Sequence, residues 1–577
     1  MIERRSTSRI VFVSIFVLLV MGGLAYRLLS LHLGISATDR DHVARIRRVE
    51  RLLRERRGRI YDGSRDANIL ALDLEVKDVI ADPSILLANN ELELATEQIA
   101  EVAGLDEAEV MGALDRPGRR YARVCRNMQD EQSEAIRDLG LRGISLRDAT
   151  KRYYPHNSFM CHVIGFLNGE GVGGSGVEQG MNGFLRGCPG LVESVVDGRR
   201  RELYDRRVQD IPAKTGADIC LTLDQNVQYM AERALDEVME RHGAKGAWVI
   251  VERVRTGEIV AMASRPSYDL NDFGAASQEE LLNRAIGFVY EPGSTMKALS
   301  IAAALNERIA ERDTILNCED GAWLHQGKVL RDYHPYGRLT VADIVKKSSN
   351  IGTAKLTVSL GAQKLSEYLT RFGIGSKTGI DLPGEEQGIL HPVRRWSRIS
   401  CSRIGIGQGV SVTALQMLNA LCAIANDGVV MRPYIVSRVV SSDGVVLHEG
   451  RPKEVGRAIS SQTASIMRQL LSRVTEAGGT GTRARVRNYS VAGKTGTAQK
   501  PIDGGYSSSA YVASFVGFVP ADAPELGIIV VVDEPQPLHT GGVVAAPAFS
   551  TIASEALSYF DIPVPRIHDG TEIASTH

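Results

Sequence analysis

The chain is expected to fold as an α+β domain, one antiparallel sheet with helices on its faces, behind a transmembrane helix and an irregular N-terminal module. Three observations carry that expectation. An uncharged run stands near the start, strand-like patterns flank a helix-rich middle, and the composition is that of a folded protein. The 577 residues imply about three to five domains at roughly 100–200 residues each. They are 44% hydrophobic and 24% charged, which excludes fibrous, low-complexity and wholly disordered classes. Lys and Arg number 68 against 69 Asp and Glu, a formal net charge of -1. No global basic field draws such a chain onto nucleic acid.

Residues 10–26 carry no charge, and Leu28 to Leu33 extend the apolar stretch past Arg27. As a helix the uncharged run spans about 25 Å, and with its extension it covers a hydrocarbon core of about 30 Å. Arg27 can snorkel to the interface. Arg4, Arg5 and Arg9 favour a cytoplasmic tail over residues 1–9, with an anchor over 10–33. The run is long for a signal core, and Ile35-Ser36-Ala37 is a poor cleavage pattern, so the anchor is expected to stay uncleaved. Arg40, Arg45, Arg47, Arg48, Arg51, Arg54, Arg56 and Arg57 follow the span and, by count alone, would hold that side inside the cell. A short basic tail is hard to export, and the chemistry below decides orientation better than the count. The cluster itself reads as a solvated face or a contact for an acidic partner. No second apolar run reaches 18 residues, so the remainder is expected on one side of the membrane.

Residues 34–216 are charged and irregular, with helical patterns over 91–102 and 130–139 and a Gly-rich stretch over 169–190. They read as a pedestal that spaces or orients something. Composition changes near Ala217, and the main domain is expected over 217–565. A strand over 218–223 precedes a helix over 227–240. A hairpin over 247–254 and 258–264 turns at Arg255-Thr256-Gly257. A helix follows over 296–305, then strands over 513–519 and 527–532. Residues 566–577 are polar and expected as a loose tail. The seven cysteines show no C-x-x-C spacing and no disulfide framework, so they read as small buried hydrophobes, with one bridge possible in an exported domain.

Three short segments carry chemistry. In Glu291-Pro292-Gly293-Ser294-Thr295-Met296-Lys297 a loop enters a helix, and Lys297, three residues after Ser294, shares its face. A serine hydroxyl needs a neighbouring base, and a helix N-terminus offers N–H groups to a developing oxyanion. A capped helix with a surface lysine carries the same letters, so this segment decides nothing alone. Lys347-Ser348-Ser349-Asn350 places a hydroxyl and an amide two positions apart, suited to proton relay and amide binding or to a plain cap. Val491-Ala492-Gly493-Lys494-Thr495-Gly496-Thr497-Ala498 reads as a strand whose glycines admit another backbone, along which a peptide could add. Lys494 would bind a carboxylate and, as a like charge, lower the pKa of Lys297. A phosphate loop is excluded because Asn488 stands where its first Gly belongs.

Ser-x-x-Lys, Ser-x-Asn and Lys-Thr-Gly in this order are the set found in β-lactamases and penicillin-binding proteins. The chain resembles the class B penicillin-binding proteins, the division-type members more than the elongation-type. Arg57-Gly58-Arg59-Ile60-Tyr61-Asp62, Arg152-Tyr153-Tyr154-Pro155, Ile164-Gly165-Phe166 and Gly176-Val177-Glu178 resemble the pedestal motifs. Gly405-Ile406-Gly407-Gln408-Gly409, Ala425-Asn426-Asp427-Gly428, Ser514-Phe515-Val516-Gly517-Phe518 and Gly541-Gly542 extend the match through the main domain.

That resemblance implies a β-lactamase-like, penicillin-recognising acyltransferase fold without cofactor or metal. It implies cross-linking of peptidoglycan stem peptides outside the cytoplasmic membrane. Ser294 would attack the D-Ala–D-Ala carbonyl, with Lys297 as base and Ser348 and Lys494 as relay to the leaving group. Asn350 would bind the substrate amide, Thr495 and Thr497 the terminal carboxylate on the Gly496 strand. The N–H groups of Ser294 and Thr497 would form the oxyanion hole. β-Lactams would acylate Ser294 as donor mimics, and the partners implied are a septal glycosyltransferase and divisome membrane proteins.

Residues 63–68 make the first pedestal motif about two residues longer than the family pattern. The division assignment rests on Ala81-Asp82-Pro83 and Pro383-Gly384-Glu385. An elongation-type transpeptidase or a D,D-carboxypeptidase would carry the same three segments. A class A protein would need a glycosyltransferase motif, and a secreted β-lactamase a water-activating group; neither is identifiable. A non-catalytic β-lactam sensor or divisome scaffold would not need the intact Ser294, Lys297, Ser348, Asn350, Lys494 and Thr495.

Overall fold

The N-terminal apolar run forms one helix, α1 (Ile2–Leu33), whose large apolar side chains from Ile10 to Leu31 lie exposed all round. It is long and apolar enough over Arg9–His32 to cross a membrane. The computed structural model describes residues 2–33, 48–116, 118–197, 202–203, 207–502 and 505–564. Ile35-Ser36-Ala37, Arg40, Arg45, Arg47, Gly504 and the tail at 566–577 lie outside the described residues, as do the side chains of Arg4 and Arg5.

The chain divides into two compact units, Met1–Arg56 with Gly187–Thr215, and Arg57–Arg186 with Gly216–His577. In the first, Arg48–Leu53 pairs antiparallel with Gly190–Val196. In the second, the stretch that reads as irregular in sequence is built on long strands. Ile69–Ala81 pairs antiparallel with both Ile144–Tyr153 and Ala122–Met128. Helices Leu92–Ala103, Glu107–Leu114 and Asp130–Asp138 give Ile99, Val110 and Ile136 to a core with Val79 and Cys125. The charges that hide the strands are either solvated or paired. Glu178, fully buried, accepts from Arg57 Nε at 2.6 Å and Arg152 Nε at 2.7 Å. Ile60–Tyr61 pairs antiparallel with this sheet and parallel with Asp218–Leu221, so one sheet runs across the expected boundary at 216/217.

The central sheet has five antiparallel strands: β1 (Gly246–Arg253), β2 (Ile259–Arg265), β3 (Ala492–Ile502), β4 (Gly505–Val519) and β5 (Leu526–Asp533), in the order β2-β1-β5-β4-β3. The expected hairpin and both late strands are present. In β1, Ala247, Val249 and Val251 enter one core while Trp248 and Ile250 enter another. Both faces are covered, which is why the strand is continuously apolar instead of alternating. Helices α2 (Gln225–His242) and α7 (Gly541–Tyr559) share the first core. Helices α3 (Met296–Asn306), α4 (Val341–Lys347), α5 (Asn350–Leu360) and α6 (Ala414–Ala425) belong to the second. Helix α3 is buried on every side from Met296 to Leu305, the signature of a central helix. It hangs the site from the core. All seven cysteines are free; Cys125, Cys161, Cys318 and Cys422 are buried and Cys188 is exposed.

Candidate active site

Ser294 lies in a single 3₁₀ turn, Gly293–Thr295, that runs directly into α3. Gly293 has φ +53°, and a Cβ there would stand 3.1 Å from the Thr497 carbonyl oxygen. Glycine thus allows the serine turn to lie backbone to backbone against β3. The turn is held from outside by Gly407, whose carbonyl accepts the Gly293 N–H at 3.1 Å, and from within by Thr295 Oγ1, which donates to Pro292 O at 2.8 Å. The half-buried Ser294 is followed one turn later by Lys297, which is 1% exposed.

The second segment is the junction of two helices, not a free loop. Ser348 ends α4 in the left-handed region (φ 58°), and Ser349 caps α5 by accepting the Gly352 N–H at 3.0 Å. Both the cap and the functional roles suggested by the sequence fall here. Lys297 Nζ donates to Ser348 O at 2.6 Å, to Ser348 Oγ at 3.1 Å and to Asn350 Oδ1 at 2.6 Å. Among the described residues no hydrogen bond joins Lys297 to Ser294 Oγ, contrary to the simple expectation from their spacing. Three acceptors satisfy the three donors of an ammonium. A neutral amine has one donor fewer and a lone pair free for the serine proton. Asn350 is also engaged at its other end, Nδ2 donating to Arg331 O at 2.8 Å.

The third segment is β3, an edge strand that among the described residues pairs with β4 alone. Its outer backbone groups are therefore available to an added strand. Lys494 is fully buried and its Nζ donates to Ser348 Oγ at 2.9 Å. Thr495 Oγ1 donates to Thr480 Oγ1 at 3.0 Å, and Thr497 Oγ1 accepts the Gly541 N–H at 3.2 Å. A Cβ at Gly496 would stand 2.2 Å from Ser514 Oγ, 3.0 Å from Thr295 Cγ2 and 3.2 Å from Pro292 O, so the absence of a side chain seats β3 against the serine turn. All eight residues singled out in the sequence thus converge on one place.

The lysines depart from the expected electrostatics in cause. Burial pushes the Lys297 amine down to about 7, with the Asp332 charge pulling the other way. Burial also drives Lys494 well below the ordinary lysine range, and the Lys297 charge adds to that. Desolvation, not like-charge repulsion, is the leading effect. An amine near 7 is available as a base at neutral pH.

Sequence reasoning missed the supports of this site. Asp332 accepts from Ser349 Oγ at 2.6 Å, from the Asn350 N–H, and from the Ile351 N–H at 3.0 Å. Glu291 accepts from the Gly409 N–H at 2.8 Å and from the Tyr506 hydroxyl at 3.1 Å, which ties the β3–β4 hairpin to the serine loop. A lone Asp in Arg331-Asp332-Tyr333-His334 gives no periodic or motif signal. Gly407 was found only through its motif.

Residues 246–554 match the family described as "Penicillin binding protein transpeptidase domain", and residues 54–221 the "Penicillin-binding Protein dimerisation domain". The chain is 33% identical over 511 residues to "Probable peptidoglycan D,D-transpeptidase PenA" of Neisseria meningitidis, covering 88% of this chain and 85% of that one. It is 29% identical over 521 residues to "Peptidoglycan D,D-transpeptidase FtsI" of Escherichia coli, covering 89% and 85%. The crystal structure of penicillin binding protein 3 from Mycobacterium tuberculosis, complexed with aztreonam, superposes with a TM-score of 0.69 at 27% identity, covering 89% of this chain and 98% of that one.

Proposed function

The chain belongs to the class B penicillin-binding proteins, serine-type peptidoglycan D,D-transpeptidases that take stem peptides and bind β-lactams, and from that premise we propose that Ser294 is its acylated nucleophile. The observation that carries this reading is the chain of contacts from Lys297 Nζ to Ser348 Oγ to Lys494 Nζ beside the serine turn. In acylation, Ser294 Oγ bonds to the carbonyl carbon of the penultimate D-Ala, and its proton goes to the neutral Lys297 amine. The tetrahedral oxygen faces the Ser294 and Thr497 N–H groups, where losing one donor typically costs about 10²–10³ in rate. The C–N bond then breaks, and terminal D-Ala leaves as an amine carrying the one proton that Lys297 took from the serine, passed along Ser348 and Lys494. An acceptor amine next attacks the ester, gives its proton back through the same groups, and frees Ser294.

The donor peptide lies along the edge of β3. Its terminal carboxylate meets Lys494, Thr495 and Thr497, and that negative charge favours the protonated form of Lys494 on binding. Asn350 holds both the Lys297 amine and the substrate amide through its remaining donor and lone pair. Peptidoglycan is assembled outside the cytoplasmic membrane, so α1 spans that membrane with the bulk of the chain on the outer face. The division-type resemblance supports a septal role alongside a glycosyltransferase and other divisome membrane proteins. Mass spectrometry of the full chain treated with penicillin tests the chemistry. An adduct on the peptide containing Ser294, absent in Ser294→Ala, is expected; an adduct elsewhere overturns the assignment. Fluorescent-fusion imaging tests the septal role, which an even peripheral distribution in dividing cells overturns.

A further inference from the structure

We propose that Asp332 is a positioning residue for this reaction: its carboxylate locks the Ser348–Asn350 junction in the conformation that holds the Lys297 amine. The proposal rests on the acyltransferase reading above. The geometry has two halves. One carboxylate oxygen of Asp332 accepts the N–H groups of Asn350 and Ile351, donors at the start of α5 that have no partner within the helix, and the other accepts the Ser349 hydroxyl. The preceding carbonyl, Arg331 O, accepts from Asn350 Nδ2. Two consecutive residues therefore fix both the backbone and the side-chain amide of Asn350. Its Nδ2 is committed to a group that only accepts, so Oδ1 is turned to Lys297 and cannot exchange places with it. The loop itself is tied down, since the Asp332 N–H donates to Gly321 O at 3.1 Å.

The carboxylate has a second influence on the amine. Its negative charge favours the protonated form of Lys297 against the desolvation that disfavours it. Lys494, on the edge strand, shares the Ser348 hydroxyl with the Lys297 amine and feels its charge. Tyr336 and Cys318 also feel the Asp332 charge. Asp332 thus keeps the base from losing its proton too easily while holding it in place.

Three variants separate geometry from charge. Asp332→Asn keeps an acceptor for the two N–H groups, and its amide can donate to Ser349 Oγ, but the charge is gone. Asp332→Glu keeps the charge on a longer arm. Asp332→Ala removes both. The readout is the second-order rate of acylation by a fluorescent penicillin across pH, with thermal melting of each protein. Asp332→Asn is expected to keep the alkaline plateau within about threefold while its acid limb moves to lower pH by up to about one unit. Asp332→Glu is expected to keep the wild-type acid limb with a lower plateau. Asp332→Ala is expected to lose tenfold to about a hundredfold at every pH, the usual cost of a misplaced catalytic group. Should Asp332→Ala melt too early to assay, the Asn and Glu profiles decide alone. Superimposable acid limbs for wild type and Asp332→Asn, or an undiminished rate in Asp332→Ala, overturn the proposal. Failure of the wild type to form a Ser294-dependent adduct instead removes the underlying acyltransferase reading, and Ser294→Ala run alongside distinguishes the two.

Discussion

Lys494 Nζ donates to Ser348 Oγ at 2.9 Å, and the same hydroxyl lies 3.1 Å from Lys297 Nζ. One oxygen therefore stands between two lysines that the core has stripped of water. Two ammonium groups in that position are unfavourable together, so the pair titrates as a unit with one proton easily lost. A hydroxyl both donates and accepts, and Ser348 is the group through which that proton passes.

The acylation rate is expected to rise with pH on its acid side with an apparent midpoint near 7. The sign follows from the role: Lys297 accepts a proton only when neutral, and burial has brought its amine down to about 7. Rates of penicillin acylation measured between about pH 5 and 9 check this, since an unperturbed lysine near 10.4 would leave the rate climbing throughout. A profile flat across that range would remove Lys297 as the base.

Ser348→Ala is expected to slow acylation by about 10²–10⁴, the span of a lost proton-transfer group, with a smaller effect on binding of the donor. Stopped-flow measurement separating the saturating rate from the half-saturating penicillin concentration checks it. The relay has no place in the mechanism if the saturating rate holds and only the concentration term moves.

The strands, the central helix and the three segments were legible in the sequence for one physical reason. Each is specified locally: the apolar run of β1, the Pro-Gly entry to α3, the glycines of β3. What the sequence hid is set by distant partners. The strand Ile69–Ala81 reads as irregular because Asp73, Glu75, Lys77 and Asp78 lie within it, and the Asp73 charge becomes intelligible only once Arg152 is seen to donate to it at 3.0 Å. Asp332 and Glu291 give no signal because their work is to accept N–H and O–H groups that folding brings to them. The cause of the lowered lysine pKa is likewise not visible in the sequence. Spacing suggests a like charge, whereas burial, which no spacing reveals, has the larger effect.

Gly496→Ala is expected to cut penicillin acylation at least tenfold while lowering the melting temperature only modestly. The added Cβ would meet Ser514 Oγ at 2.2 Å and press on Thr295 and Pro292 at 3.0–3.2 Å, pushing β3 away from the serine turn. A shift of about 1 Å between reacting groups is enough for losses of that size. Ser514→Ala in the same chain removes the closest clash and is expected to restore part of the rate. An unchanged rate in the single variant would show that the close seating of β3 on the turn is not needed.

Away from the site, Glu252 on β1 should govern how stability depends on pH. It is fully buried, and the polar partner of its carboxyl is the Cys422 thiol. Burial raises its carboxyl from the ordinary 4.5 to about 8. Between those values the native chain holds a proton that the unfolded chain has released, so this residue makes stability fall as pH rises, by up to about 1.4 kcal/mol per unit. Above about 8 both states are ionised and its contribution levels off. Glu252→Gln keeps the shape without the titration, so chemical denaturation should show the variant gaining on wild type steadily from pH 5 towards 8, then holding its lead. If the two denaturation curves stay a constant distance apart at every pH, the buried carboxyl is not the source of the slope.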